Sequence, residues 1–67
     1  MNINHKILKA IDNNKLSLKN EGERNWYNFK VRITFLYWQR NLFDGYLIEV
    51  YEKDSNIHIG TVRYPES

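Results

Sequence analysis

The chain has 67 residues, no cysteine and a formal net charge of +2. That size allows a single domain over residues 1–67 and excludes disulfides and cysteine-based zinc sites. Hydrophobic residues make up 42% and ten side chains are aromatic, enough for a core, although so short a chain buries only about 60% of its unfolded surface.

In chain order, the first element is a short amphipathic helix over residues 3–12. Ile3, Ile7, Ala10 and Ile11 recur at i, i+4, i+7 and i+8 and make one apolar stripe, which Leu8 widens. Asn2 or Asn4 is placed to cap its start, and Asn13-Asn14 to end it through a left-handed residue. A helix of this length is marginal alone in water and must dock its stripe. Leu16 and Leu18 alternate with Ser17 and Lys19, the weak pattern of a first strand, and Asn20-Glu21-Gly22-Glu23 reads as a turn.

Residues 26–38 carry the clearest periodicity. The odd positions Tyr27, Phe29, Val31, Ile33, Phe35 and Tyr37 are all apolar or aromatic. The even positions are Trp26, Asn28, Lys30, Arg32, Thr34, Leu36 and Trp38. Period-two alternation gives a half-buried strand with its odd face inward. The run is long for one strand, so a bulge or bend is expected. Asp44-Gly45 is a hairpin-turn signal. A third strand from Tyr46 to Lys53 turns Tyr46, Ile48 and Val50 inward and Leu47, Glu49 and Tyr51 outward. A tight turn would set Asn41 opposite Ile48 on the inner face. A longer loop pairs Phe35 with Ile48 and Ile33 with Val50, and is preferred. Either way the faces are the same. Lys53-Asp54-Ser55-Asn56 is the next turn. Residues 57–64 make a last strand in which Gly60 marks a bulge, and Pro65 ends it.

The expected fold is α+β: a short N-terminal helix on one face of a four-stranded antiparallel meander, with the long second strand able to curl the sheet toward a small barrel. Tyr27, Phe29, Phe35, Tyr37, Tyr46 and Tyr64 supply the aromatic part of the core.

No run is long enough to span a membrane; the longest unbroken apolar stretch is Phe35-Leu36-Tyr37-Trp38. Lys6, Lys9 and Asp12 break up the early residues, which therefore do not read as a secretory signal. Lack of cysteine fits a reducing compartment, so a cytoplasmic location is expected. The Asn-, Lys- and Ile-rich composition suggests an AT-rich genome of bacterial, phage or plasmid type.

Nothing in the sequence assembles a catalytic site. His5 and His58 belong to different elements, and Ser17, Ser55 and Ser67 lack the setting of a nucleophile elbow. Asp44, Glu49, Glu52 and Asp54 do not follow calcium-loop spacing, and no glycine-rich phosphate loop is present. The expectation is no enzyme, no cofactor and no metal.

Charge is unevenly spread. Residues 24–43 carry four basic and no acidic side chains, whereas residues 44–67 carry five acidic and two basic ones. A basic strand beside an acidic one can pair across the sheet, or present a basic stripe to an acidic partner. On the uncovered face Trp26, Lys30, Arg32, Leu36, Trp38, Arg40, Leu47 and Tyr51 form the expected partner-binding set, since Trp, Tyr and Arg anchor interfaces. The expected function is a small non-catalytic protein-binding module, a regulator or inhibitor of the kind phages and plasmids carry, which occludes a partner's surface. The alternatives are a nucleic-acid-binding domain using the same aromatic and basic residues, and a homodimer that buries the patch.

Overall fold

A computed structural model of the protein describes residues 2–65. Helix α1 (Ile3–Asp12) is followed by strands β1 (Gly22–Trp26), β2 (Phe29–Trp38), β3 (Leu42–Glu52) and β4 (His58–Tyr64). The strands form one antiparallel sheet in the order β1-β2-β3-β4. The architecture is the expected α+β meander, but it does not curl into a barrel: β1 and β4 remain the two free edges of an open sheet.

The helix begins and ends on asparagines. The Asn2 side chain accepts from the Asn4 N–H at 2.9 Å, which satisfies one of the free donors of the first turn. At the other end Asn14 takes φ 58. The Asn14 N–H then donates to the Ile11 carbonyl and the Lys15 N–H to the Ala10 carbonyl, at 3.1 and 2.7 Å. These two bonds make a Schellman exit, which asparagine tolerates as glycine would.

That exit corrects the expected first strand. Leu16 drops straight from the helix end into the core, its N–H also bonded to the Ala10 carbonyl. Residues 16–19 therefore form a packed loop. The Arg24 guanidinium pins it by donating to the carbonyls of Ser17 and Asn20 at 2.7 and 3.2 Å. The first strand is instead the polar segment Gly22–Trp26, part of which was expected to be a turn. Polar residues suit an edge strand with one covered face.

A two-residue turn, Tyr27-Asn28, joins β1 to β2 and pairs Trp26 with Phe29. Residues paired across a hairpin share a face. Trp26 thus stands on the same side as Phe29, Val31 and Ile33, the side α1 covers. This overturns its expected place on the open face at the start of a long second strand. Its indole N–H donates to the Lys15 carbonyl at 3.2 Å.

The β2–β3 register differs from the expected one by two residues: Val31 faces Val50, Ile33 faces Ile48 and Phe35 faces Tyr46. The face assignment is unchanged, because a two-residue slip preserves parity. The larger correction concerns Asp44-Gly45. It is a bulge inside β3, and the turn lies at Gln39-Arg40-Asn41. Gly45 holds φ 119, and a Cβ there would stand 2.8 Å from the Tyr64 carbonyl oxygen, so the glycine serves a close strand contact and not a turn. In β4 the ladder shifts at Ile59, next to Gly60, as its glycine suggests.

The core is a single aliphatic layer. Ile7, Ala10 and Ile11 of α1 lie over Val31, Ile33, Ile48, Val50 and Val62 of the sheet, with Leu16 closing one end. Trp26, Phe29, Phe35, Tyr46 and Tyr64 pack around it. Tyr27 and Tyr37, expected inside, are exposed: one sits on a turn and the other beyond the reach of the helix.

Candidate functional site

The open face of the sheet holds Lys30, Arg32, Leu47 and Tyr51, four of the expected site residues. Arg32 is not free there. It stands opposite Glu49 on β3 and Glu23 on β1, and donates through Nη2 to Glu23 Oε2 at 2.7 Å. Its guanidinium also lies 5.7 Å from the centre of the Tyr51 ring, and the Tyr51 hydroxyl donates to Glu49 at 3.3 Å. The hydrogen bond from Arg32 and its charge, with a smaller contribution from Lys30, hold the Glu23 carboxyl below its ordinary pKa. The same contacts raise Arg32. On the neighbouring row Arg63 forms an ion pair with Asp44. Of the two basic residues of β2, Arg32 is thus answered by an acid across the sheet, whereas Lys30 stands opposite Asn25 and Tyr51.

The other expected residues, Leu36, Trp38 and Arg40, lead away from this centre along a projecting ribbon. β1 gives out at the Gly22–Ile33 pair, and β4 at Tyr46–Tyr64, where Pro65 has no N–H to continue the ladder. Beyond those points β2 and β3 continue alone as Leu36–Trp38 and Leu42–Gly45. Trp38 and Leu42 pair on the open face, and Tyr37 and Phe43 on the other. Trp38 is 60% exposed, Leu42 58%, Tyr37 57% and Phe43 51%.

The ribbon is not loose. Its inner face is tied to the core by a run of edge-to-face rings: Tyr37 to Phe43 at 6.1 Å, Phe43 to Tyr46 at 4.9 Å and Tyr46 to Phe35 at 5.6 Å. Such pairs each add about 0.5–1.5 kcal/mol beyond area burial. At the tip Gln39 and Arg40 hold φ 48 and 72, and the Asn41 N–H donates to the Gln39 carbonyl at 2.8 Å. Two consecutive non-glycine residues with positive φ are uncommon. The β2 edge is guarded: the first outward N–H past β1, that of Phe35, donates to the Glu21 carboxylate at 2.9 Å. A guarded edge leaves side chains, more than backbone, for recognition.

Two concavities flank the helix. A cleft of about 240 Å³ lies between α1 and the β1–β2 turn, lined by Lys6, Lys9, Ala10, Asn13, Lys15, Trp26 and Tyr27. A groove of about 490 Å³ runs along the other side, lined by Leu16, Leu18, Tyr46 and Tyr64 among others. Asp12 faces that second side, where its carboxylate accepts from the Tyr64 hydroxyl at 3.1 Å and thereby raises the phenol's pKa.

The structure therefore divides the eight expected residues. Lys30, Arg32, Leu47 and Tyr51 share the open face; Leu36, Trp38 and Arg40 lie along the ribbon; Trp26 is on the covered side. The sequence reading missed Tyr37, Leu42 and Phe43 as exposed tip residues. Reading Asp44 as a bulge would have placed Phe43 opposite Tyr37. Among the described residues no group of three or more His, Asp or Glu side chains is disposed to hold a metal ion, and no helix is long and apolar enough to cross a membrane. Comparison with known protein families, with curated proteins and with solved structures finds no match.

Proposed function

We propose that the protein is a small non-catalytic binding module that recognises a protein partner through the tip of the β2–β3 ribbon. The observation that carries this reading is the set Tyr37, Trp38, Leu42 and Phe43, four large apolar side chains that are each more than half exposed on one projecting element. Scattered exposed apolar residues are ordinary, but four on one short ribbon, a pair on each face, are not. Trp, Tyr and Arg are the types that dominate interface energetics, and Arg40 sits at the turn between them. The ring stack behind the tip reduces the ordering cost of binding. A ribbon that projects in this way is shaped to enter a partner's cleft, which is how a regulator or inhibitor acting by occlusion would use it. The open face contributes less, because its arginine is already paired.

The test uses exposed positions, so that the fold is retained. Affinity capture from nuclease-treated lysate of the source organism is compared for the wild type, Trp38→Ser, Phe43→Ser and Thr61→Arg on the open face. A partner retained by wild type and Thr61→Arg, and lost at least tenfold by both tip variants, is the expected outcome. Capture that ignores the tip variants, or falls equally with Thr61→Arg, overturns the assignment.

A further inference from the structure

The cleft between α1 and the β1–β2 turn is a second site, at the opposite end of β2 from the ribbon tip and roughly 30 Å away along the strand. Its chemistry is distinct. Lys6, Lys9 and Asn13 fall at i, i+3 and i+7 on α1 and so share one flank of the helix. Lys15 joins them from the Schellman exit, and no carboxylate lines the cleft. The nearest acid in sequence, Asp12, faces the other side of the helix, bonded to Tyr64. In the last turn the carbonyls of Lys9, Ala10 and Ile11 accept from the N–H groups of Asn13, Asn14, Lys15 and Leu16, and the three lysines offset the negative end of the helix.

The aromatic wall is equally specific. The ring planes of Trp26 and Tyr27 meet at 87° with centres 4.7 Å apart. Trp26 is fixed by its bond to Lys15. Tyr27 holds φ 55 and its side chain is 70% exposed. Glycine or asparagine would meet that backbone demand more cheaply, and the core gains little from the ring. A strained, exposed aromatic beside three lysines is suited to stacking on a planar ring whose neighbours are negatively charged.

We propose that this cleft seats one base of a single-stranded nucleic acid, with Tyr27 stacking on it and Lys6, Lys9 and Lys15 meeting the phosphates of that nucleotide and its neighbours. A volume of about 240 Å³ is below the roughly 300 Å³ at which pockets enclose a free small molecule. Three lysines beside one aromatic wall can meet more than the single phosphate of a nucleoside monophosphate, which favours a strand over that free nucleotide. This site is independent of the ribbon tip, so either assignment can fail without the other.

The probe is a fluorescein-labelled oligothymidylate of about twelve nucleotides, measured by anisotropy. A second readout is Trp26 emission in a Trp38→Phe background, where Trp26 is the one tryptophan left. Three neutralised phosphates on a single strand give a log–log salt slope near −2, so affinity falls about 20-fold between about 50 and 200 mM salt. Lys6→Gln, Lys9→Gln and Lys15→Gln combined should abolish binding. Tyr27→Asn, which keeps the turn, should weaken it about tenfold by removal of one stack, and Tyr27→Phe should bind as wild type. Trp38→Ser should have no effect. No binding at about 50 mM salt overturns the proposal. So does binding that survives the triple substitution, thymidine monophosphate binding as tightly as the oligomer, or heparin competing as well while Tyr27→Asn binds normally.

Discussion

Gly60 shows how one residue sets the position of the helix. A Cβ at this site would stand 2.5 Å from Asn4 Oδ1 and 2.7 Å from Ile3 Cγ2, so α1 rests on the glycine itself. Asn4 Oδ1 is buried there without a hydrogen-bond partner among the described residues, which is itself unfavourable. Gly60→Ala should therefore destabilise the fold by about 1–3 kcal/mol through overpacking. Asn4→Ala removes the closer of the two contacts and the unsatisfied oxygen, and leaves the contact with Ile3 Cγ2. Chemical denaturation of the two single variants and the double variant is expected to show strong non-additivity, with Asn4→Ala restoring part of the loss. Additive losses would mean that the helix does not press on β4 at this point. Gly45 was equally conspicuous in the sequence but for a misleading reason. Beside Asp44 it imitates a hairpin turn, whereas its true constraint, the Tyr64 carbonyl on a neighbouring strand, is not local.

At the level of elements, legibility followed periodicity. The alternation of Val31, Ile33 and Phe35 against Lys30, Arg32 and Thr34 was readable because burial on one face imposes it. The matching even positions of β3 followed, and so did the open face. The exact register was not readable, since parity is preserved under a slip of two. β1 was hidden because an edge strand of Glu23, Arg24 and Asn25 has no apolar alternation to display. The turn Tyr27-Asn28 carries no glycine, so Trp26 was counted into β2, and two turn residues were enough to reverse its face. The β1–β2 pairing has its own pH signature. Arg32 holds the Glu23 carboxyl below its ordinary pKa, so the pair contributes stability above the unfolded carboxylate pKa and loses it as pH falls through the lower folded value. Thermal melts of Glu23→Gln should lie below wild type at neutral pH, and the two curves should converge in acid. A difference that persists unchanged in acid would show that the ion pair is not its cause.

The whole molecule is elongated, with extents of 36 × 22 × 18 Å, and its two candidate sites fall at the two ends of β2. The helix covers the middle of the sheet, stops short of the ribbon tip, and at the other end forms one wall of the cleft. The tip aromatics are exposed because they lie beyond the helix and Tyr27 because it stands on a turn, while the centre makes an aliphatic core. The expectation that an aromatic and basic surface would do the work of recognition divides accordingly. The exposed aromatic part lies at the ribbon tip, a second set of lysines lies on the helix flank, and on the open face between them Arg32 and Arg63 are held in ion pairs. Side-chain types were legible in the sequence; their grouping was not, because it depends on where β1 and β4 end.

Site-specific photo-crosslinking shows whether the ribbon tip is the element that meets a partner. A photoreactive phenylalanine analogue is placed at position 38, 43, 49 or 27 of the intact chain and irradiated in lysate of the source organism. Positions 38 and 43 should give the same single protein adduct, with none from position 49 on the open face or position 27 at the cleft. An adduct from position 49 with nothing from the tip, or only a covalent dimer of the chain itself, would contradict the account.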